Sequence, residues 1–295
     1  MQKGYNKLGF SHEHLEMIRN YCAKVTEKPR LAITQFHNKY SSFTRRGTTS
    51  RIINEAYDKY VITGPYLYCN SNIEVILLDD IDNPLQYWEE HRNDEGVTVS
   101  MALCGSWKYL CFRKGARSLK HTSTPLLSYP AWSELENFYF EEPGELGVDQ
   151  YPHGWDELDW KMYDIFGITH KMSFVAVGSE LEISWETVKR HYQRVLKQAK
   201  ILTCFFPNGF YDYQSVLLTF KTKYEVGLKK ALSELDRLSY LYKYNSTIIL
   251  LIFIDRDTQV YNKITKRFGE LEEMGIIHDL RVSIPNTYDS IYVKA

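Results

Sequence analysis

Thr187, Lys189, Arg190, Gln193, Arg194 and Lys197 follow Ser184 closely in the stretch SWETVKRHYQRVLK. Hydroxyl, amide, ammonium and guanidinium groups at this density suit one chemistry: hydrogen bonds to base edges and ionic contacts to phosphates. At about 100° per residue Glu186, Thr187, Arg190, Gln193, Arg194 and Lys197 fall on one side of a helix, with Lys189 and His191 flanking it. Trp185, Val188, Tyr192, Val195, Leu196 and Ala199 fall on the other side, which is expected to pack inward. Glu186 stands among the basic groups, where it either accepts from a cytosine amino group or points away from phosphate. The same pattern also describes a solvated helix whose cations gather near its C-terminal end. An earlier cluster joins Arg45, Arg46 and Arg51 to Thr48, Thr49 and Ser50, with Asn54 one turn further on. It suits either a second basic reader or a charged loop and helix start.

Other reactive groups offer less. The five cysteines include no C-x-x-C pair, which argues against a disulfide framework and a structural zinc site. Cys69, Cys104 and Cys111 fall in expected strands or at their edges, where inert buried thiols are common. His12 and His14 could bind a metal, but positions two apart on a helix diverge, so an exposed helix start is expected. Glycine-rich phosphate loops, serine elbows and H-E-x-x-H are absent. The expectation is a protein that is not an enzyme and has neither cofactor nor metal.

The elements that must position these groups are legible in outline. The chain has 295 residues, 44% hydrophobic, enough for about two domains. A net charge of −1 and a pI near 6.8 exclude a protein that simply coats nucleic acid, so any such contact is local. The first residues lack the apolar core of a leader, and the longest apolar run, Ile248–Ile254, is too short to span a bilayer. A soluble, cytoplasmic protein without membrane contact is expected.

A shift of 141 residues places NIEVILLDDIDNPLQYW on YQSVLLTFKTKYEVGLK and WKYLCF on IILLIF, which suggests an internal repeat. In the second half, helices are expected over Asp156–Ile168 and Phe174–Leu181, then a turn at Glu182–Ser184, and a third helix capped by Ser184. ILTCFF and YQSVLLTF flank a Pro207–Gly209 turn, a hairpin signal. A helix over Tyr224–Leu235, two strands, a helix over Thr258–Met274 and a last strand complete a βαββαβ order, the ferredoxin-like pattern. The first half follows with helices over His12–Thr26, Pro29–Lys39 and Thr48–Tyr60, and then strand, helix, strand, strand to Arg113. Its second crossover helix is missing. An acidic connector with Trp132, Phe138, Tyr139 and Phe140 is expected to lie along a domain surface.

DELDWKMYDIF followed by AVGSELEISWETVKRHYQRVLKQAKIL resembles the winged helix-turn-helix of the Lrp/AsnC (feast/famine) regulators. Leu181, Ile183, Ser184, Thr187, Val188, Arg190, Tyr192 and Ile201 fall on matching positions. The resemblance implies an α+β chain with two winged helix-turn-helix units, each followed by a ferredoxin-like βαββαβ (RAM-like) domain, the first truncated. The expected boundaries are 1–70, 71–130, 131–155, 156–210 and 211–295. It further implies a transcriptional regulator that reads double-stranded DNA, with two unequal recognition helices and a non-palindromic site. Homodimers or higher oligomers through the ferredoxin-like domains and a small-molecule effector would follow. This chain departs from the family's pattern at Glu182 and Ala199, where glycine is usual. Gly105 matches the family's sensing segment, but the aspartate of that segment is missing from both copies. Siroheme decarboxylases share this outline and hold a tetrapyrrole with histidine and arginine; His121, His170 and His278 are the histidines available for that alternative. A third possibility is an interaction scaffold that no longer binds DNA.

Overall fold

The computed structural model describes residues 6–115, 137–168, 172–234, 238–255 and 258–290. His121, His170, Trp132 and the segment after Gly115, where the expected crossover helix is missing from the sequence pattern, lie outside them. The chain is α+β and divides into two compact units, Met1–Cys69 with Gln150–Phe205 and Asn70–Asp149 with Phe206–Ala295. Each unit therefore draws on both halves of the sequence.

The first unit is helical. It contains α1 (His12–Glu27), α2 (Ile33–Tyr40) and α3 (Arg46–Asp58), then β1 (Ile62–Tyr68). Later come α5 (Glu157–Ile168), α6 (Phe174–Glu180), α7 (Trp185–Leu196) and β5 (Lys200–Phe205). Ser11 opens α1 with a capping box that includes His14, so the HEH segment is a helix start. Ser184 accepts from the Thr187 N–H and caps α7, as its residue type suggested. The second helix begins at Ile33 and not at Pro29; Pro29–Ala32 lead into it. β1 and β5 pair antiparallel, Ile62 opposite Phe205 and Tyr68 opposite Lys200. This pairing corrects the expected hairpin of β5 with the strand after Pro207–Gly209. The chain leaves that turn through a 3₁₀ turn, Phe210–Asp212, and its next strand belongs to the other unit.

The second unit is built on β2 (Ile73–Leu78), α4 (Pro84–His91), β3 (Val97–Gly105) and β4 (Tyr109–Gly115). It continues with β6 (Tyr213–Lys221), α8 (Glu225–Glu234), β7 (Ser239–Tyr244), β8 (Thr247–Asp255), α9 (Thr258–Glu273) and β9 (His278–Ser290). Among the described residues the sheet order is β2-β4-β3-β9-β6-β8-β7, antiparallel throughout. Alternation along the strands gives the sheet two apolar faces. Val216, Leu218 and Phe220 face Leu228 of α8 and Phe268 of α9, while Leu217 joins Ile249, Leu251, Val75, Leu110 and Phe112 on the other side. The sheet curls enough to bring Phe112 of β4 within 4.9 Å of Tyr242 of β7, ring centre to ring centre. Trp88 of α4 covers Ala102, Tyr109 and Cys111 from outside.

Among the described residues the connector is mostly exposed along the surface, with two of its rings turned inward. Phe138 and Phe140 are 4% and 3% exposed and pack beside Phe268, inside the core of the second half. Leu146 N–H donates to Glu225, and Gly227 approaches Glu142 so closely that a Cβ there would lie 2.7 Å from the Glu142 nitrogen. Gly105, which matched the sensing segment, has a similar packing role. Its φ is +133° and a Cβ would stand 2.5 Å from the Val282 carbonyl oxygen, so only glycine lets β3 close on β9.

Candidate functional site

Helix α7 carries the residues singled out first. Lys189, Arg190, Gln193 and Lys197 are exposed, as is Ser184, whose hydroxyl lies 3.2 Å from that of Thr187. Arg194 is also exposed, with 44% of its side chain accessible, but its guanidinium is paired. Its Nη1 lies 3.2 Å from Asp156 Oδ2 and 3.1 Å from Asp159 Oδ2, and its Nη2 donates to the Gly154 carbonyl. Two neighbours correct the helical projection. Trp185 is 45% exposed, with the Lys189 ammonium 5.9 Å from its ring centre, because α7 crosses α6 at its first turn. A Cβ on Gly178 of α6 would meet the Ile183 carbonyl at 2.7 Å and the Trp185 nitrogen at 3.3 Å, so backbone fills the space that a packed indole would need. His191 is buried, and its Nδ1 lies 2.8 Å from the fully buried Asp159.

Asp156, Asp159 and His191 bring their ligand atoms within 4.8 Å of one another, a spacing that could hold a metal ion. The Arg194 guanidinium already supplies the positive charge there. Asp156 and Asp159 also accept one another's backbone N–H at 2.9 and 3.0 Å, closing the first turn of α5. The cluster is a satisfied network joining α5 to α7. The Asp156 carboxyl is held below its ordinary value of 3.8, first by the Asp159 N–H and then by His191 and Arg194.

The earlier basic cluster is split. Arg45 and Arg46 are exposed at the start of α3, Arg51 pairs with Glu55 at 3.4 Å, and Ser50 is half-buried. Thr49 is corrected from a reader to a core residue: it is 0% exposed, and its hydroxyl lies 2.9 Å from both His37 Nδ1 and Ser41 Oγ. Asn54 is exposed and lines a cleft. Cys69 and Cys111 are buried and Cys104 is exposed; burial pushes the Cys111 thiol up. His278 is exposed at the start of β9.

That cleft, open and about 590 Å³, is walled by the end of α1, the loop into α2, the end of α3 and Pro65. Sequence reasoning passed over its cation, Arg30, because a single loop arginine makes no periodic pattern. Arg30 lies 4.2 Å from the Phe174 ring centre and 5.4 Å from that of Phe166. Its Nη2 donates to the Met172 carbonyl at 2.8 Å, while Nη1 is buried without an acceptor. A buried donor in that state costs about 1–3 kcal/mol, which the aromatic faces offset in part. Two phenols, Tyr21 and Tyr57, line the same cleft, and burial raises both above the ordinary phenol value.

No family model matches the chain, and no curated protein does. Comparison with solved structures finds a likeness in fold. The siroheme decarboxylase NirDL is 8% identical with a TM-score of 0.52, over 93% of this chain and 91% of that one. The same decarboxylase in co-complex with an iron-uroporphyrin III analogue gives 0.48 over 92% of each chain. PH0061 gives 0.34 at 13% identity, over 48% of this chain and 97% of that one. At such identities the likeness is one of fold alone. It overturns the expectation that the chain is not an enzyme, because the structure sharing its fold along nearly the whole length is one. The absence of short catalytic motifs was no ground for excluding catalysis. Among the described residues no helix is long and apolar enough to cross a membrane.

Proposed function

We propose that this chain is an enzyme that decarboxylates a tetrapyrrole, siroheme or a macrocycle close to it. The observation that carries the reading is the likeness in fold to siroheme decarboxylase NirDL over 93% of the chain, which takes in both halves. Decarboxylation breaks the bond between a side-arm carbon and its carboxylate, releases CO₂ and places a proton on that carbon. A site for it needs apolar walls for the macrocycle, a cation for the carboxylates and a proton source. We read the scaffold as two fused copies of a winged helix-turn-helix followed by a ferredoxin-like domain. The order β9-β6-β8-β7 with α8 and α9 supports the second copy, and β2-β4-β3 with α4 supports a first copy without its last strand among the described residues. Anaerobic incubation with siroheme tests the function: mass spectrometry should find the substrate short of CO₂. Siroheme recovered intact from protein that has bound it sinks the reading.

The exposed row Lys189, Arg190, Gln193 and Lys197 favours a second reading, sequence-specific binding of double-stranded DNA through α7. Selection from a random DNA pool tests it. A recovered motif whose affinity falls about tenfold in Arg190→Ala supports DNA reading, and the absence of any enriched motif removes it.

A further inference from the structure

Arg30 is an unusual cation for a protein interior. Three aromatic rings surround it, Phe174, Phe166 and Tyr192, the last 5.8 Å away, and none of them carries a compensating negative charge. Among the described residues no carboxylate forms an ion pair with it, and burial disfavours its charged form. The same side chain lines the open cleft of about 590 Å³, a volume within the range of small-molecule pockets, about 300–1,000 Å³. Val25, Leu31 and Ile33 give the cleft an apolar part, and Tyr21 and Tyr57 add flat rings. Asp58, exposed at the end of α3, also lines it and disfavours a second anionic group there.

We propose that this cleft binds a ligand that presents one carboxylate from a flat, apolar body. Arg30 takes the carboxylate, and the aliphatic and phenolic walls take the body. A guanidinium is weakly hydrated and matches a carboxylate in geometry, and Nη1, sealed under the rings without an acceptor, gains one when the guanidinium turns toward an anion in the cleft. Two sources supply this chemistry: a side arm of a tetrapyrrole, which rests on the function proposed above, or a free monocarboxylic acid, which does not.

Calorimetric titration of the full chain with 3-phenylpropionate, the neutral 3-phenylpropanol and siroheme separates these. Arg30→Met removes the cation and keeps the length of the side chain. Asn54→Trp fills the rim from the exposed face of α3 without touching the aromatic cage. The wild type should bind 3-phenylpropionate at least about tenfold more tightly than the alcohol, and both variants should lose about tenfold or more. Displacement of siroheme by 3-phenylpropionate assigns the cleft to the tetrapyrrole. Siroheme held equally by wild type and Arg30→Met, with the acid lost, assigns it to a free acid. Equal affinity for acid and alcohol, or undiminished acid binding in folded Asn54→Trp, overturns the proposal even where siroheme is decarboxylated. Retained acid binding without siroheme turnover removes the proposed function and leaves the cleft's role standing.

Discussion

His191 Nδ1 donates to Asp159 Oδ1 across 2.8 Å, so a polar residue of α7 faces the helical core and meets the fully buried carboxylate of α5. Asp159 also receives Arg194 at 3.1 Å and the Asp156 N–H at 3.0 Å. Asp159→Ala strips all three donors of their acceptor and should cost about 3 kcal/mol, the scale for breaking a buried pair. Urea unfolding followed by tryptophan fluorescence checks this; a loss below about 1 kcal/mol would show the network to be dispensable.

Acid should find the same network. The folded-state value of Asp156 lies below 3.8, so the stability it contributes is present above that value and fades as pH falls through the lower one. The urea midpoint of the wild type should therefore drop on acidification below about pH 4, and Asp156→Asn should flatten that drop. Asp79 and Asp279, lowered by Arg281 and Lys221 respectively, keep part of the slope in the variant.

Glu182, in the turn before α7, has a φ of +54°. That is the left-handed region, which a residue with a Cβ adopts at a cost. Glu182→Gly should raise stability by about 1 kcal/mol, since the side chain pays a steric penalty there. The melting temperature measures it, and an unchanged or lower value would refute the strain.

Glu225 and Lys243 meet at 2.8 Å with side chains 4% and 8% exposed, and Glu225 also accepts from Leu146 of the connector. Glu225→Ala leaves the buried ammonium only the exposed Glu145 carboxylate, 3.6 Å away. It should cost about 3 kcal/mol and open the connector near Glu145 to glutamyl endopeptidase. Cleavage there at the wild-type rate would deny the connector its clamp.

Local features were legible in the sequence. The apolar periodicity of α1, α5 and α7 and the Ser184 cap located helices, and the 141-residue shift places β2 on β6 and α4 on α8. Pairing between distant segments was not. A strand's alternation says which face it buries but not which neighbour it finds, so β5 was assigned to β6 when its partner is β1. Buried polar residues hid for a similar reason. Thr49 and His191 look solvent-facing until His37, Ser41 and Asp159 arrive from other helices. An imidazole beside the packed face of α7 and an acid three residues after Asp156 were the available signal for the second pair. Arg30 offered none, because its cage is assembled from α5, α6 and α7.

β9 occupies the middle of the sheet, with Met101 opposite its Tyr288 on one side and Leu218 opposite its Val282 on the other. β2, β4 and β3 join the ladder of β6, β8 and β7 only through β9, so this single strand, later in the chain than all six, closes the sheet. Cutting the chain between β4 and β6 would leave β3 with a raw edge where β9 should lie.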